Sequence, residues 1–409
     1  PTRNSSSAAS DVYKRQITSR DRKKMDVCRA DINTGEVEVL IEERMNTYIE
    51  TRPLYLIKNE TEMIHWSEKD GWAHFYRHDI NGNLLNRITS GPFHSDNIKY
   101  YDQKSNFLFF SAHGVNEEID PYYEHTYKIS LNGGVPKLLN KGDFNTMTYP
   151  SDNHKFFVNN FSRVNTTPKS NLINSDGSVI MNLETADLSA LFESGYKFPE
   201  TFKAKADDGI TDLYGVIYKP FDFDENKKYP LLEYVYPGPQ TESVNKSFSV
   251  RMDRLDRMAQ LGFIVITLGN RGGHPDRSKW YHNYGYGNLR DYGLADKKYV
   301  AQQLANRHDF IDINRVGIYG HSGGGFMSTA AILVYPDFFK VAYSQAGNHD
   351  NSIYNSWWSE THHGILEETD DDGNIKYIYD IDKNQSLAKN LKGHLYLVTG
   401  DMDNNVHPG

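Results

Sequence analysis

The chain has 409 residues, 38% of them hydrophobic and 24% charged, with a formal net charge of −9. That length suggests two or three domains, and that composition describes a globular chain, not a disordered one. The negative balance argues against a nucleic-acid or anionic-membrane partner. The single cysteine, Cys28, excludes an internal disulfide and a zinc site built from several cysteines, and no apolar run of roughly 18 residues is present to span a membrane.

Residues 1–16 lack the apolar segment of a signal peptide. They read as adapter-like sequence and are set apart from the fold. The stop at Gly409, just after an apolar run and an acidic loop, is equally abrupt. The expectation is a fragment lacking sequence at both ends.

Residues 17–195 read as β-structure, with short aromatic and β-branched runs between turn signals. Similar turns recur at Asp31–Gly35, Asp79–Gly82, Leu131–Gly134 and Ser175–Gly177, and strand-like segments follow the first three at Val37–Ile41, Leu84–Thr89 and Val135–Leu139. The spacing is about 45–50 residues, the length of a four-stranded propeller blade. The expectation is a partial β-propeller of three to four blades, with a β-sandwich as the alternative.

Residues 196–409 change character. Tyr196–Lys205 reads as a connection. Apolar strands are expected at Leu213–Tyr218, Leu231–Tyr236, Phe263–Leu268, Val316–Tyr319, Val341–Ser344 and Leu395–Val398. Helices are expected at Asp253–Gln260, at Leu294–Asn306 with Leu294, Tyr299, Val300 and Leu304 as its apolar face, and at Phe326–Val334 before Pro336. Strands alternating with helices mean a parallel sheet with helices on both faces; with the elbow described next, the expectation is an α/β-hydrolase domain with a mostly parallel sheet.

Gly320-His321-Ser322-Gly323-Gly324 is a Gly-x-Ser-x-Gly sequence between a strand and a helix. That is the pattern of a nucleophile elbow, which needs very small residues at −2 and +2. Ser322 is the candidate nucleophile, and the Gly323 N–H, at the helix start, can stabilise an oxyanion. A serine hydroxyl also needs a histidine base and a carboxylate to orient it. The loop after Leu395–Val398 offers Asp401 and Asp403.

These segments resemble the prolyl oligopeptidase family of serine peptidases, in its dipeptidyl peptidase IV-like branch. The resemblance is carried by Lys228–Pro239, by the elbow with Gly285–Gly287 and Arg290-Asp291 upstream, and by Asp403–His407. Trp66–Trp72 and Thr89–Pro92 resemble that branch's propeller. The resemblance implies Ser322 as nucleophile, Asp403 as the triad carboxylate, and Tyr236 as the oxyanion partner of the Gly323 N–H. It also implies Tyr354 and Trp358 as walls of a proline pocket and Asn405 as a ligand of a substrate carbonyl. The expected reaction releases N-terminal dipeptides after Pro or Ala from short peptides. Alternatives are an esterase or acylaminoacyl peptidase on this scaffold, or a non-catalytic binding protein.

Three departures stand out. Asp350 replaces a pocket tyrosine, Gly323 replaces an aromatic, and neither His321 nor His407 matches the catalytic histidine, which would lie beyond Gly409. Glu42-Glu43 is a weak match to the amine-binding glutamate pair and reads as a solvated turn. Glu368–Asp372 lacks the closing glutamate of a calcium loop, and His362-His363 lacks metal-ligand spacing. No cofactor and no metal are expected. The resemblance allows a homodimer and a periplasmic or secreted location.

Overall fold

The computed structural model describes residues 12–249 and 254–408. Its first part is a series of antiparallel sheets. The first contains Val12–Thr18, Lys24–Asp31 and Val37–Arg44. The second contains Tyr55–Ile57, Glu62–Ser67, His74–Asp79 and Leu84–Arg87. The third contains His94–Asp102, Phe107–His113, His125–Ser130 and Lys137–Leu138. The fourth contains Asn145–Pro150, Phe156–Ser162, Lys169–Asn174 and Val179–Thr185.

The recurring turns join the last two strands of every sheet. Each holds a glycine in the left-handed region, at Gly35, Gly82, Gly133 and Gly177. A polar side chain near the turn accepts backbone N–H groups: Asp31 from Asn33 and Thr34, Asp79 from Asn81, and Asn174 from Asp176. The three strands of the first sheet therefore correspond to the second, third and fourth of the others. Buried apolar side chains from neighbouring sheets join: Ile64 and Phe75 of the second, with Ile88 just after its last strand, meet Leu108, Phe110 and Ile129 of the third. These are the blades of a partial β-propeller.

The second part is a seven-stranded mixed sheet. Its strands are β1 (Glu200–Lys205), β2 (Asp212–Tyr218), β3 (Tyr229–Val235), β4 (Ile264–Leu268), β5 (Ile311–His321), β6 (Phe339–Gln345) and β7 (His394–Val398). The order is β1-β2-β4-β3-β5-β6-β7. Strands β3 to β7 run parallel, while β1 and β2 join antiparallel. Four helices matter for the site: α1 (Arg254–Gln260), α2 (Leu294–Arg307), α3 (Gly323–Val334) and α4 (Ser356–His363). On one face, Leu294, Val300 and Leu304 of α2 and Met327, Ala330 and Ala331 of α3 pack on Ile264, Ile266 and Ile318. Each such large aliphatic residue stabilises the fold by about 1.5–3 kcal/mol. The opposite face carries a cross-strand row of Tyr234, Tyr319, Tyr343 and Tyr396 beside an apolar cleft of about 720 Å³. Val341 and Tyr396 there are 48% and 64% exposed. Among the described residues no helix is long and apolar enough to cross a membrane.

Several expectations change. Residues 1–11 of the head set apart from the fold lie outside the described residues, but Val12–Gln16 belong to a strand paired with Val27–Asp31. Tyr196–Lys205 is a connection only in part, because Glu200–Lys205 is paired with β2. Tyr299 is 37% exposed, and the buried face of α2 includes Asp296 and Lys297. Asp296 accepts hydrogen bonds from the Arg271 guanidinium, and Lys297 donates to the Leu268 carbonyl. Those partners make burial of two charged residues tolerable where a phenol turns outward. Asp253, expected to begin α1, lies outside the described residues. Glu42-Glu43 is not a solvated turn. It is part of a strand, whose alternation sends Glu42 outward and Glu43 inward. Glu43 is buried and paired with His65 Nε2 at 2.8 Å and Ser67 Oγ at 2.7 Å.

Candidate active site

Ser322 sits where β5 ends and α3 begins, with φ 54° and ψ −120°. A non-glycine residue there is strained, at a cost on the order of 1–3 kcal/mol, and such strain concentrates at functional sites. The surroundings hold it in place. The Ser322 N–H donates to the Gln345 carbonyl at 2.8 Å, and the Ser322 carbonyl accepts from the Phe326 N–H at 2.9 Å. The flanking glycines are required by close backbone approach. A Cβ on Gly320 would lie 2.3 Å from the Val235 carbonyl oxygen, and one on Gly324 would lie 2.0 Å from it. The small-residue requirement at −2 and +2 is thus a contact with the end of β3.

That contact also brings in the oxyanion candidates. A Cβ on Gly324 would stand 3.3 Å from Tyr236 Cα, and one on Gly323 would stand 3.0 Å from the Pro237 carbonyl oxygen. Tyr236, the first residue after β3, therefore lies beside the elbow, and it is half-buried. The acidic loop follows β7, the neighbour of β6. Asp403 Oδ1 accepts from the N–H groups of Val406 and Asn405, each at 2.9 Å. Those two donors hold its carboxyl below the usual carboxylate range, and nearby His321 adds to the effect. Asp401 is exposed, while Asp403 is half-buried.

The pocket candidates join the same loop. Tyr354 donates its hydroxyl to Asn405 Oδ1 at 3.2 Å and meets Trp358 edge-on, with ring centroids 5.8 Å apart. Trp358 lies on α4 and packs on Leu289, Tyr292 and Ile381. Its ring thus meets a small core, Tyr354 and His362. Asp350 is engaged by its neighbours: Lys383 Nζ lies 2.9 Å from Oδ2, and Ser352 donates to Oδ1. Burial pushes its carboxyl up, but the Ser352 and Lys383 contacts outweigh this and hold it below its ordinary value. Among the described residues no histidine is hydrogen-bonded to the Ser322 hydroxyl.

Sequence reasoning missed the residues that seat this site on the propeller. The Arg20 guanidinium pairs in bidentate fashion with Glu360 on α4, at 2.6 and 3.0 Å. Tyr48 contacts His282 through its hydroxyl and meets His362 of α4 edge-on at 5.2 Å. Burial drives both imidazoles down to about 3, so they are neutral. Lys279 Nζ donates to Glu68 Oε2 at 2.7 Å and to the Tyr48 carbonyl at 2.8 Å. Glu242 accepts from the hydroxyls of Tyr122 and Tyr281, at 3.0 and 2.5 Å. These partners are up to 340 positions apart in the chain, and no local pattern announces them.

A mostly parallel sheet with a strained serine at a strand-to-helix turn, preceded by propeller blades, defines an α/β-hydrolase joined to a β-propeller. Residues 248–409 match the prolyl oligopeptidase family, and residues 9–168 match the dipeptidyl peptidase IV N-terminal region. Both parts of the chain are thus similar to the dipeptidyl peptidase IV-like branch of the prolyl oligopeptidase family. The chain is 33% identical to human dipeptidyl peptidase 8 over 213 residues, which are 52% of this chain and 23% of the relative. It is 24% identical to dipeptidyl peptidase 4 of Trichophyton equinum over 363 residues, covering 83% of this chain and 44% of the relative. The crystal structure of Porphyromonas gingivalis dipeptidyl peptidase 4 shares the fold with a TM-score of 0.83 at 24% identity, over 97% of this chain and 55% of that one. The chain thus spans less than half the length of these curated relatives.

Proposed function

We propose that this chain carries the nucleophile, oxyanion donors and orienting carboxylate of a serine peptidase that releases dipeptides from short peptides. In this reading a propeller part over about residues 17–195 restricts entry, and residues 196–409 perform the chemistry. Ser322 Oγ attacks the scissile carbonyl, and the oxyanion is met by the Tyr236 hydroxyl and the Gly323 N–H. The leaving amine departs, and water attacks the acyl-enzyme to regenerate Ser322. Asp403 orients the histidine that takes and returns the proton. That histidine is neither His321, which belongs to β5, nor the exposed His407. Tyr354 and Trp358 form a flat apolar wall suited to a proline ring, and Asn405 holds a substrate carbonyl.

The observation that carries this reading is the strained Ser322 backbone, held by contacts that only glycine permits at Gly320 and Gly324. The test is fluorophosphonate labelling of the whole protein in which this chain occurs. Labelling that disappears in Ser322→Ala is expected, with turnover of X-Pro dipeptide anilides well above that of simple acyl esters. No labelling, or labelling retained in Ser322→Ala, removes the nucleophile. Faster ester turnover favours the esterase alternative.

A further inference from the structure

The third propeller sheet places a group of metal-binding side chains beside the hydrolase part, on residues that the peptidase reading does not use. His94 begins one strand and is paired across the ladder with His113, at the end of the next. His125 is paired with Ala112, so Glu124 stands opposite His113 in the following position. Donor atoms of Asp96, His113 and Glu124 all lie within 4.8 Å of one another. His94 Nε2 is 4.0 Å from Asp96 Oδ1, and its ring centroid is 6.0 Å from that of His113.

His94 is the telling residue. It is 1% exposed, and neither ring nitrogen has a hydrogen-bond partner. A neutral imidazole brings one N–H and one lone pair, and burying both unsatisfied is costly. His113 is oriented from behind: its Nδ1 lies 3.2 Å from the Tyr122 carbonyl oxygen and 3.7 Å from Asp276 Oδ2. A proton on Nδ1 leaves the Nε2 lone pair available, and a carboxylate behind a histidine is the usual outer support of a metal ligand.

We propose that His94, Asp96, His113 and Glu124 bind a divalent transition-metal ion, with Zn²⁺ as the probe. Two imidazoles and two carboxylates suit tetrahedral zinc, whose bonds to such ligands are about 2.0–2.2 Å long. Donors of such a tetrahedron stand about 3.3–3.6 Å apart, so Asp96, His113 and Glu124, now within 4.8 Å of one another, draw together, and His94, outside that group, turns further to join them. Two cations compete with the ion: Lys99 Nζ lies 2.9 Å from Glu124 Oε1, and Arg52 Nη2 lies 3.2 Å from Asp96 Oδ1. The ion takes the place of the ammonium at Glu124. Through His113 and Asp276 it braces the propeller against the hydrolase loop that also holds His274.

Titration of the chelator-treated full chain with Zn²⁺ alone, followed by calorimetry, tests this, with Co²⁺ absorption as a report on geometry. One equivalent is expected to bind. His94→Gln and His113→Gln are each expected to weaken that equivalent by about 100-fold or more, since even outer-support losses reach that range. Lys99→Met removes a competing charge and is expected to tighten binding. Circular dichroism of the variants separates ligand loss from unfolding; if His113→Gln does not fold, His94→Gln decides. The absence of a one-to-one site overturns the proposal, as does a site unchanged in the folded histidine variants. Weaker binding in folded Lys99→Met overturns the assignment of Glu124.

Discussion

The Lys279–Glu68 pair lies between the propeller and the hydrolase, and removing either partner should loosen that seam. The two side chains are 10% and 3% exposed and 2.7 Å apart. Lys279 also lies over the Tyr48 ring at 4.4 Å. At an effective dielectric constant of about 20, the gross attraction at this distance is about 6 kcal/mol. Desolvation offsets much of it, so the pair itself contributes little net stability. Breaking it is a different matter. Glu68→Gln leaves a buried ammonium whose acceptors there, an amide oxygen and the Tyr48 carbonyl, are neutral, and Lys279→Met leaves a buried carboxylate and the Tyr48 carbonyl without this partner. Each single change should cost about 3–5 kcal/mol. The double variant Glu68→Leu/Lys279→Met should cost less than the sum of Glu68→Leu and Lys279→Met, with a coupling of about 1–3 kcal/mol. Urea unfolding followed by tryptophan fluorescence reads the loss, and limited proteolysis between the two parts reads the opening. Single changes costing less than about 1 kcal/mol, or strictly additive effects, would refute the latch.

Gly324→Ala places a methyl 2.0 Å from a backbone oxygen that cannot move aside, so a loss of about 3 kcal/mol or more is expected; an unchanged melting temperature contradicts this packing. His282 and His362 have folded values near 3, below the usual 6.5. Their contribution is present above about pH 6.5 and is lost as pH falls toward 3, so His362→Phe should flatten acid unfolding across that window. An acid profile identical to wild type would remove these imidazoles from the account. Glu233 is driven the other way, up to about 7 by burial, with Lys297 acting against the shift. Its protonated form fits the fold, so that contribution is full below about pH 4.5 and is lost as pH rises through about 7. Melting temperatures of wild type and Glu233→Gln should therefore diverge over that range, to the disadvantage of wild type, and a constant difference would show that Glu233 does not titrate there.

What the sequence made legible was whatever is encoded within a few neighbouring residues. The propeller turns were readable because a left-handed glycine beside a short polar side chain is a local requirement. The hydrolase strands were readable because a fully buried strand such as Ile264–Leu268 is apolar throughout. The elbow was readable for the same reason, although the contact that demands its glycines comes from Val235, far back in the chain. Burial of charged residues was not readable. Glu43 looks like half of an acidic turn until His65 and Ser67 are brought to it by the adjoining sheet. Tyr299 fits an apolar helical face until Asp296 and Lys297 find partners inside. Likewise, His94 and His113 are separated by a hairpin and meet only through strand register.

The tyrosine-lined sheet face has a thermal consequence. Unfolding raises heat capacity because apolar surface enters water, by about 0.45 cal/K/mol for each Å² newly hydrated. Val341 and Tyr396 are already 48% and 64% exposed in the folded chain, so they add less to that increment than buried residues of their size. Against a total of about 12–15 cal/mol/K per residue that reduction is small, so the curve of stability against temperature should keep the curvature that the chain length dictates.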